Sequence, residues 1–118
     1  PLQALTIWND PVFVECAQAL GRRIMAENPA GDDPLQTITH RVHFALLVCL
    51  SRPATPQEQE ALVEYYLDQQ KLLAARPEAA QQIVGSLPVS DGTEMAELAA
   101  WVVLGRVILN LDEFISRE

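Results

Sequence analysis

Basic residues, histidine, cysteine and glycine are all scarce in this chain, and each shortage closes a class of function. Eight Lys and Arg stand against sixteen Asp and Glu in 118 residues, a formal net charge of -8. A polyphosphate backbone is repelled by such a field, so nucleic acid is not an expected partner. The two histidines, His40 and His43, form an H-x-x-H pair that could seed a metal site. Zinc needs three or four ligands, and no acidic third ligand lies one turn away, so no metal is expected. The two cysteines, Cys16 and Cys49, make neither a C-x-x-C nor a C-x-x-C-H haem attachment; they read as buried thiols or as one disulfide, with thiols favoured. The sequence also has no G-x-S-x-G, no glycine loop to cradle phosphate and no Cys-His dyad readable from spacing, so catalysis by this chain alone is not expected.

Long apolar runs are missing too. The greasiest stretch, which starts with "MAELAAWVVLG", extends over about fifteen apolar positions and is broken by Arg106, whereas a bilayer needs about twenty. No membrane span is expected. The chain opens on Pro1, without a charged n-region, apolar h-region and cleavage site. We therefore expect a fragment of something longer, whose targeting information lies elsewhere.

What is present is helical. The apolar fraction of 49 % with 20 % charged residues suits a folded chain. No run alternates apolar and polar β-branched residues as a strand would. The length predicts a single helical domain over 1–118. A first helix is predicted from "NDPVF", capped by Asn9 or Asp10 with Pro11 at its first position, to about Glu27; its core stripe is Phe13, Ala17, Leu20 and Ile24. A second should run from Pro34 to about Leu50, with Leu35, Ile38, Val42, Ala45, Leu46 and Cys49 on one face. The third has the best local signal, Thr55 as cap, Pro56 next and Glu58 completing a capping box, and should reach about Ala75. Its inner stripe is predicted as Ala61, Leu62, Tyr65, Gln69, Leu72 and Leu73.

A short helix, "PEAAQQIV", should come next and end at Gly85. A last helix, capped by Asp91 or Thr93, should run to about Asn110 and stand at the centre, because Ala96 to Leu109 leave almost no polar face. The expected fold is all-α, a compact four- to five-helix, bundle-like domain around this hydrophobic C-terminal helix.

That layout singles out candidate residues. Arg106 is predicted in the last turn of the central helix, where its charge suits the carbonyl end of the dipole, paired with Asp10 or Asp112. After Asn110 the chain should turn, with Phe114 and Ile115 folding back while Asp112 and Glu113 stay wet. Asn9, Asp10, Arg106, Asn110 and Asp112 are thus the candidate structural or cleft residues. The acidic pairs Asp32 with Asp33 and Glu58 with Glu60 sit at predicted helix starts, where the macrodipole favours them without any catalytic role. Tyr65 and Tyr66 point about 100° apart on a helix, so only one can face inward. Tyr66 and Trp8 are the candidate contact surface.

Three stretches then carry a resemblance: "LQALTIWNDPVFVECAQALGRRI", "HFALLVCLSRPATPQEQEALVEYY" and "AAWVVLGRVILNLDEFISRE". With N-D-P-x-F-V, S-R-P-x-T-P-x-E and L-N-L-D-E-F in order, the chain resembles the C-terminal region of the planctomycete-type domain of unknown function, the DUF1553 family. The resemblance implies large bacterial proteins that often also carry cytochrome c domains, and an exported, extracytoplasmic setting. It brings no activity and no catalytic residues. No cofactor is expected in this region, and any haem would lie outside it. In an exported protein a bridge between Cys16 and Cys49 gains weight, given a suitable Cα separation.

The expected role is that of a structural and interaction module packing on upstream domains of the same chain or on a protein partner. The alternatives are a contribution to an active-site cleft completed upstream, and a peptide- or polysaccharide-binding module built on an exposed aromatic.

Overall fold

Among the described residues of the computed structural model, four of five helices begin on proline, and the reason is local. The ring presets a helical φ, and its missing N–H is one the first turn would leave unpaired. Residues 10–50, 52–89 and 92–116 are described, with the backbone alone for 92–93 and 112–116. The helices are α1 (Pro11–Glu27), α2 (Pro34–Leu50), α3 (Pro56–Ala74), α4 (Pro77–Val84) and α5 (Gly92–Ser116). The fold is all-α, and no strand occurs among the described residues.

Side chains supply the donors' partners at three of the starts. Asp10 Oδ1 accepts from the Val12 N–H at 2.8 Å. Asp33 Oδ1 accepts from Leu35 N at 3.1 Å and Gln36 N at 3.4 Å. Thr55 Oγ1 accepts from Glu58 N at 3.2 Å while Glu58 Oε1 accepts from Thr55 N at 3.0 Å, the reciprocal capping box. α4 ends at Gly85, whose φ of 68° suits glycine. Gln18 of α1 reaches across to the end of α4 and donates to the carbonyls of Ile83 at 3.0 Å and Val84 at 3.4 Å, the latter also accepting from Leu87 N at 3.5 Å.

α5 is the central helix, as its composition predicts. It packs along α1, α3 and α4 and touches α2. Ala96, Leu98, Ala99, Ala100, Trp101, Val102, Leu104 and Ile108 are buried on it. Against them stand Ala17, Leu20 and Ile24 of α1, Val42, Ala45 and Leu46 of α2, Leu62, Tyr66 and Leu73 of α3, and Ala80 and Val84 of α4. α1 and α5 approach so closely at Gly21 that a Cβ there would lie 2.7 Å from Val102 Cγ2 and 2.9 Å from its backbone nitrogen.

Three expectations are corrected here. The last helix does not stop near Asn110 but runs to Ser116, so Arg106 is well inside it and the chain does not turn after Asn110. Positions 106–116 hold no Gly or Pro to break the helix, and one Asn costs it only about 0.7 kcal/mol. Because α5 starts at Gly92, Thr93 lies within it; Asp91 is outside the described residues. Leu35 and Leu72, predicted inward, are 56 % and 54 % exposed, since α2 and α3 turn their Val42–Leu46 and Leu62–Tyr66 faces to α5 instead.

Candidate functional site

The chemistry-bearing side chains gather around Arg41, which composition alone did not single out. Arg41 lies on α2 between Ile38 and Val42 and is 3 % exposed, the one buried charged residue among those described. Its Nε donates to the Asn28 carbonyl at 2.8 Å and its Nη1 to Glu97 Oε2 at 3.2 Å. Its guanidinium stands 5.8 Å from the Trp101 ring centroid. On Trp101, Tyr66 stacks with centroids 3.9 Å apart and an interplanar angle of 23°. Four elements therefore meet at one indole: the α1–α2 loop through Asn28, α2 through Arg41, α3 through Tyr66 and α5 through Trp101 and Glu97.

The electrostatics suit a clamp. A buried cation is costly unless paired and hydrogen-bonded. Here a carbonyl, a carboxylate and an aromatic face share the task. Glu97 keeps its carboxylate near solvent, its side chain being 35 % exposed against 4 % for Arg41. Burial raises the Tyr66 hydroxyl's pKa, and Glu97 adds to that while Arg41 and Trp101 oppose it. The phenol thus stays neutral at any physiological pH. Trp101 Nε1 is buried without an acceptor among the described residues. No nucleophile or free general base belongs to the cluster, so what it can do is hold four elements in register.

Tyr66 is accordingly not a surface residue. It is 2 % exposed, and the half-buried tyrosine is Tyr65. The inner stripe of α3 is Leu62, Tyr66 and Leu73, four and seven residues apart, which rotates Tyr65 toward the rim. Burial raises the Tyr65 pKa and the nearby Arg106 charge opposes the rise.

Three of the predicted cleft residues, Asp10, Arg106 and Asn110, have described side chains. Asp10 is exposed and spends Oδ1 on capping α1. Arg106 and Asn110 are half-buried on α5, and Arg106 Nε is buried without an acceptor among the described residues. No ion pair joins Arg106 to Asp10, so the predicted partner is not found there; the buried, bonded arginine of this fold is Arg41. Trp8 and Asn9 and the side chain of Asp112 lie outside the described residues. Among those described no aromatic is fully exposed.

The remaining candidates have local jobs. His40 and His43 both face solvent, and no group of three possible metal ligands occurs among the described residues. Cys16 is exposed, contrary to the buried thiol expected, because it lies off the Ala17–Leu20–Gly21–Ile24 face; no disulfide joins it to the half-buried Cys49. Asp33 caps α2. Glu58 closes the capping box and receives a fork from Arg52, Nη1 to Oε1 at 2.8 Å and Nη2 to Oε2 at 2.6 Å. That fork, with the Thr55 N–H, lowers the Glu58 pKa to about 2. No described helix is long and apolar enough to cross a membrane.

Of several open concavities among the described residues, the one on the outer face of α2 and α3 is a groove of about 470 Å³ whose apolar lining includes Leu35, Val63 and Leu67, with Glu60 and Glu64 beside them. Sequence reasoning missed it, and missed Arg41, for related reasons. Position 41 completes the inward series 38, 41, 42, 45, 46, so the signal was a charge at a core register, which the stripe of apolar letters hides.

Two of the resembling stretches gain a structural meaning from this geometry. N-D-P is the cap and first residue of α1, and S-R-P-x-T-P-x-E contains the Arg52–Glu58 fork and the capping box that start α3. Both fall within residues 1–66, which match the model of the family described as "Protein of unknown function (DUF1553)", whereas L-N-L-D-E-F lies beyond the match. No curated protein and no solved structure matches the chain. A match over more than half of the 118 residues, with its motifs in place as helix starts, means that the chain belongs to the DUF1553 family of proteins of unknown function.

Proposed function

We propose that this chain is a structural and interaction module of a larger bacterial protein, working outside the cytoplasm and packing on other domains of that protein or on a protein partner. The observation that carries the reading is the internal commitment of the charged groups. Arg41 is spent on Asn28, Glu97 and Trp101; Arg52 and Glu58 are spent on each other; Asp10 and Asp33 are spent on helix starts. The outward apolar groove of α2 and α3 supports a docking role. The extracytoplasmic setting and the association with cytochrome c domains rest on the family resemblance. Haem would be held by another region of the parent, since this sequence has no C-x-x-C-H.

The test is expression of the full parent chain with and without this module, comparing its periplasmic and cytoplasmic fractions, its haem absorbance and the proteins that co-purify. Loss of a co-purifying partner, or weakened protection of the adjoining domain against protease, is the expected outcome. Unchanged stability, haem content and partners would sink the reading.

A further inference from the structure

The groove between α2 and α3 has a definite chemistry. On α3, Pro56, Glu60, Val63, Glu64 and Leu67 recur at helical spacing on the face turned away from α5, and Leu35 faces them from α2. Leu35 is 56 % exposed and Leu67 42 %, with Val63 half-buried between them. The floor is fixed before anything binds, because Gln59 Nε2 donates to the Thr39 carbonyl at 2.6 Å and ties α3 to α2. The rim is acidic. Glu60 and Glu64 are exposed and one turn apart, and among the described residues they are in no ion pair and no Lys or Arg lines the groove.

An apolar floor with an uncompensated acidic rim selects among occupants. A second copy of this chain would bring another net charge of -8 against that rim. An anionic lipid surface is repelled for the same reason. A helix carrying apolar anchors at i, i+3 or i+4 and i+7, flanked by Lys or Arg, meets both requirements at once: its anchors cover Leu35, Val63 and Leu67, and its cations face Glu60 and Glu64. We propose that this groove docks a cationic amphipathic helix of a partner protein. The proposal rests on the interaction-module reading and gives its surface and partner chemistry.

The probe is a synthetic peptide of leucine and lysine at helical spacing, titrated into the isotopically labelled chain and followed by amide chemical shifts. Saturable shifts centred on Leu35, Thr39, Val63 and Leu67 are expected. Glu60→Lys with Glu64→Lys should weaken binding about tenfold, roughly 1.4 kcal/mol. Glu15→Lys with Asp32→Lys, exposed sites outside the groove carrying the same change in net charge, should alter it less than about twofold, which is below roughly 0.4 kcal/mol. Circular dichroism melts of both variants confirm that they fold. Shifts centred on another face, equal loss in both double variants, or equal binding of a leucine and glutamate peptide would overturn the proposal. If the parent protein still loses a partner when the module is deleted while the groove ignores the peptide, this proposal falls and the module reading stands.

Discussion

The surroundings of α5 and the corner where α2 meets α3 are built on opposite terms. Around α5 the helices close until atoms are in contact. Gly21 admits no Cβ against Val102, Gly105 lies 3.2 Å by its would-be Cβ from Leu20 Cδ2, and Trp101 is enclosed by Tyr66 and Arg41. At the corner, side chains of the same apolar character remain in water, with Leu35 and Leu67 on an open groove. The corner is held by directional bonds instead: Gln59 to Thr39, Arg52 to Glu58, and the capping box. Hydrophobic residue type alone therefore does not choose the core. What chooses it is whether a facing helix can come near enough to exclude water.

That contrast can be broken by substitution. Trp101→Ala removes the ring that Tyr66 and Arg41 share, so it should cost about 3–5 kcal/mol, read as a lower urea midpoint with an unchanged slope. Gly21→Ala should cost about 1–3 kcal/mol, although alanine favours a helix by about 1 kcal/mol, because the methyl meets backbone as well as side chain. Gly105→Ala is the sharpening control. Its nearest neighbour is the flexible tip of Leu20, and its unfolding midpoint should stay close to that of the parent chain.

Effects at the corner should be smaller. Thr55→Ala removes the cap of α3 and should cost about 1 kcal/mol in thermal unfolding. The Glu58 carboxyl titrates near 2 in the fold against an ordinary 4.5, so folding favours its charged form. Its contribution is complete above about pH 5 and fades as pH falls from 4.5 toward 2. The Arg52–Glu58 pair is half-exposed, so solvent screening keeps the effect small. Glu58→Gln should therefore flatten the loss of melting temperature across that acid window and change little at neutral pH. A Glu58→Gln variant with the same acid slope as the parent chain would show that the fork does not hold in solution.

The helix starts were legible in the sequence because their causes are local. Asp10 with Pro11, Asp33 with Pro34, Thr55 with Pro56 and Glu58, and Pro77 with Gly85 each act within a few residues. The centrality of α5 was legible as well, since a helix with so little polar face must be surrounded. Of the proposed cleft residues, Asp10 is a cap and Arg106 is set inside α5 rather than at its last turn, while Asn9 and the side chain of Asp112 lie outside the described residues. The choice between Tyr65 and Tyr66 could not be read from spacing, because both lie within one turn of Leu62 and the rotation of α3 selects between them. Arg41 occupies a core register that only a carbonyl from the α1–α2 loop and a carboxylate from α5 make tolerable, and neither partner is near it in sequence.

The chain by itself thus determined where its helices begin, which of them is central and that its surface is acidic, because propensity, capping and net charge are properties of neighbouring residues or of their sum. Only the tertiary structure decided which tyrosine stacks on Trp101, which arginine is buried and bonded, and which leucines line an open groove. Those choices depend on the rotation and approach of helices far apart in sequence, where a shift of one position along a helix turns a side chain by about 100°.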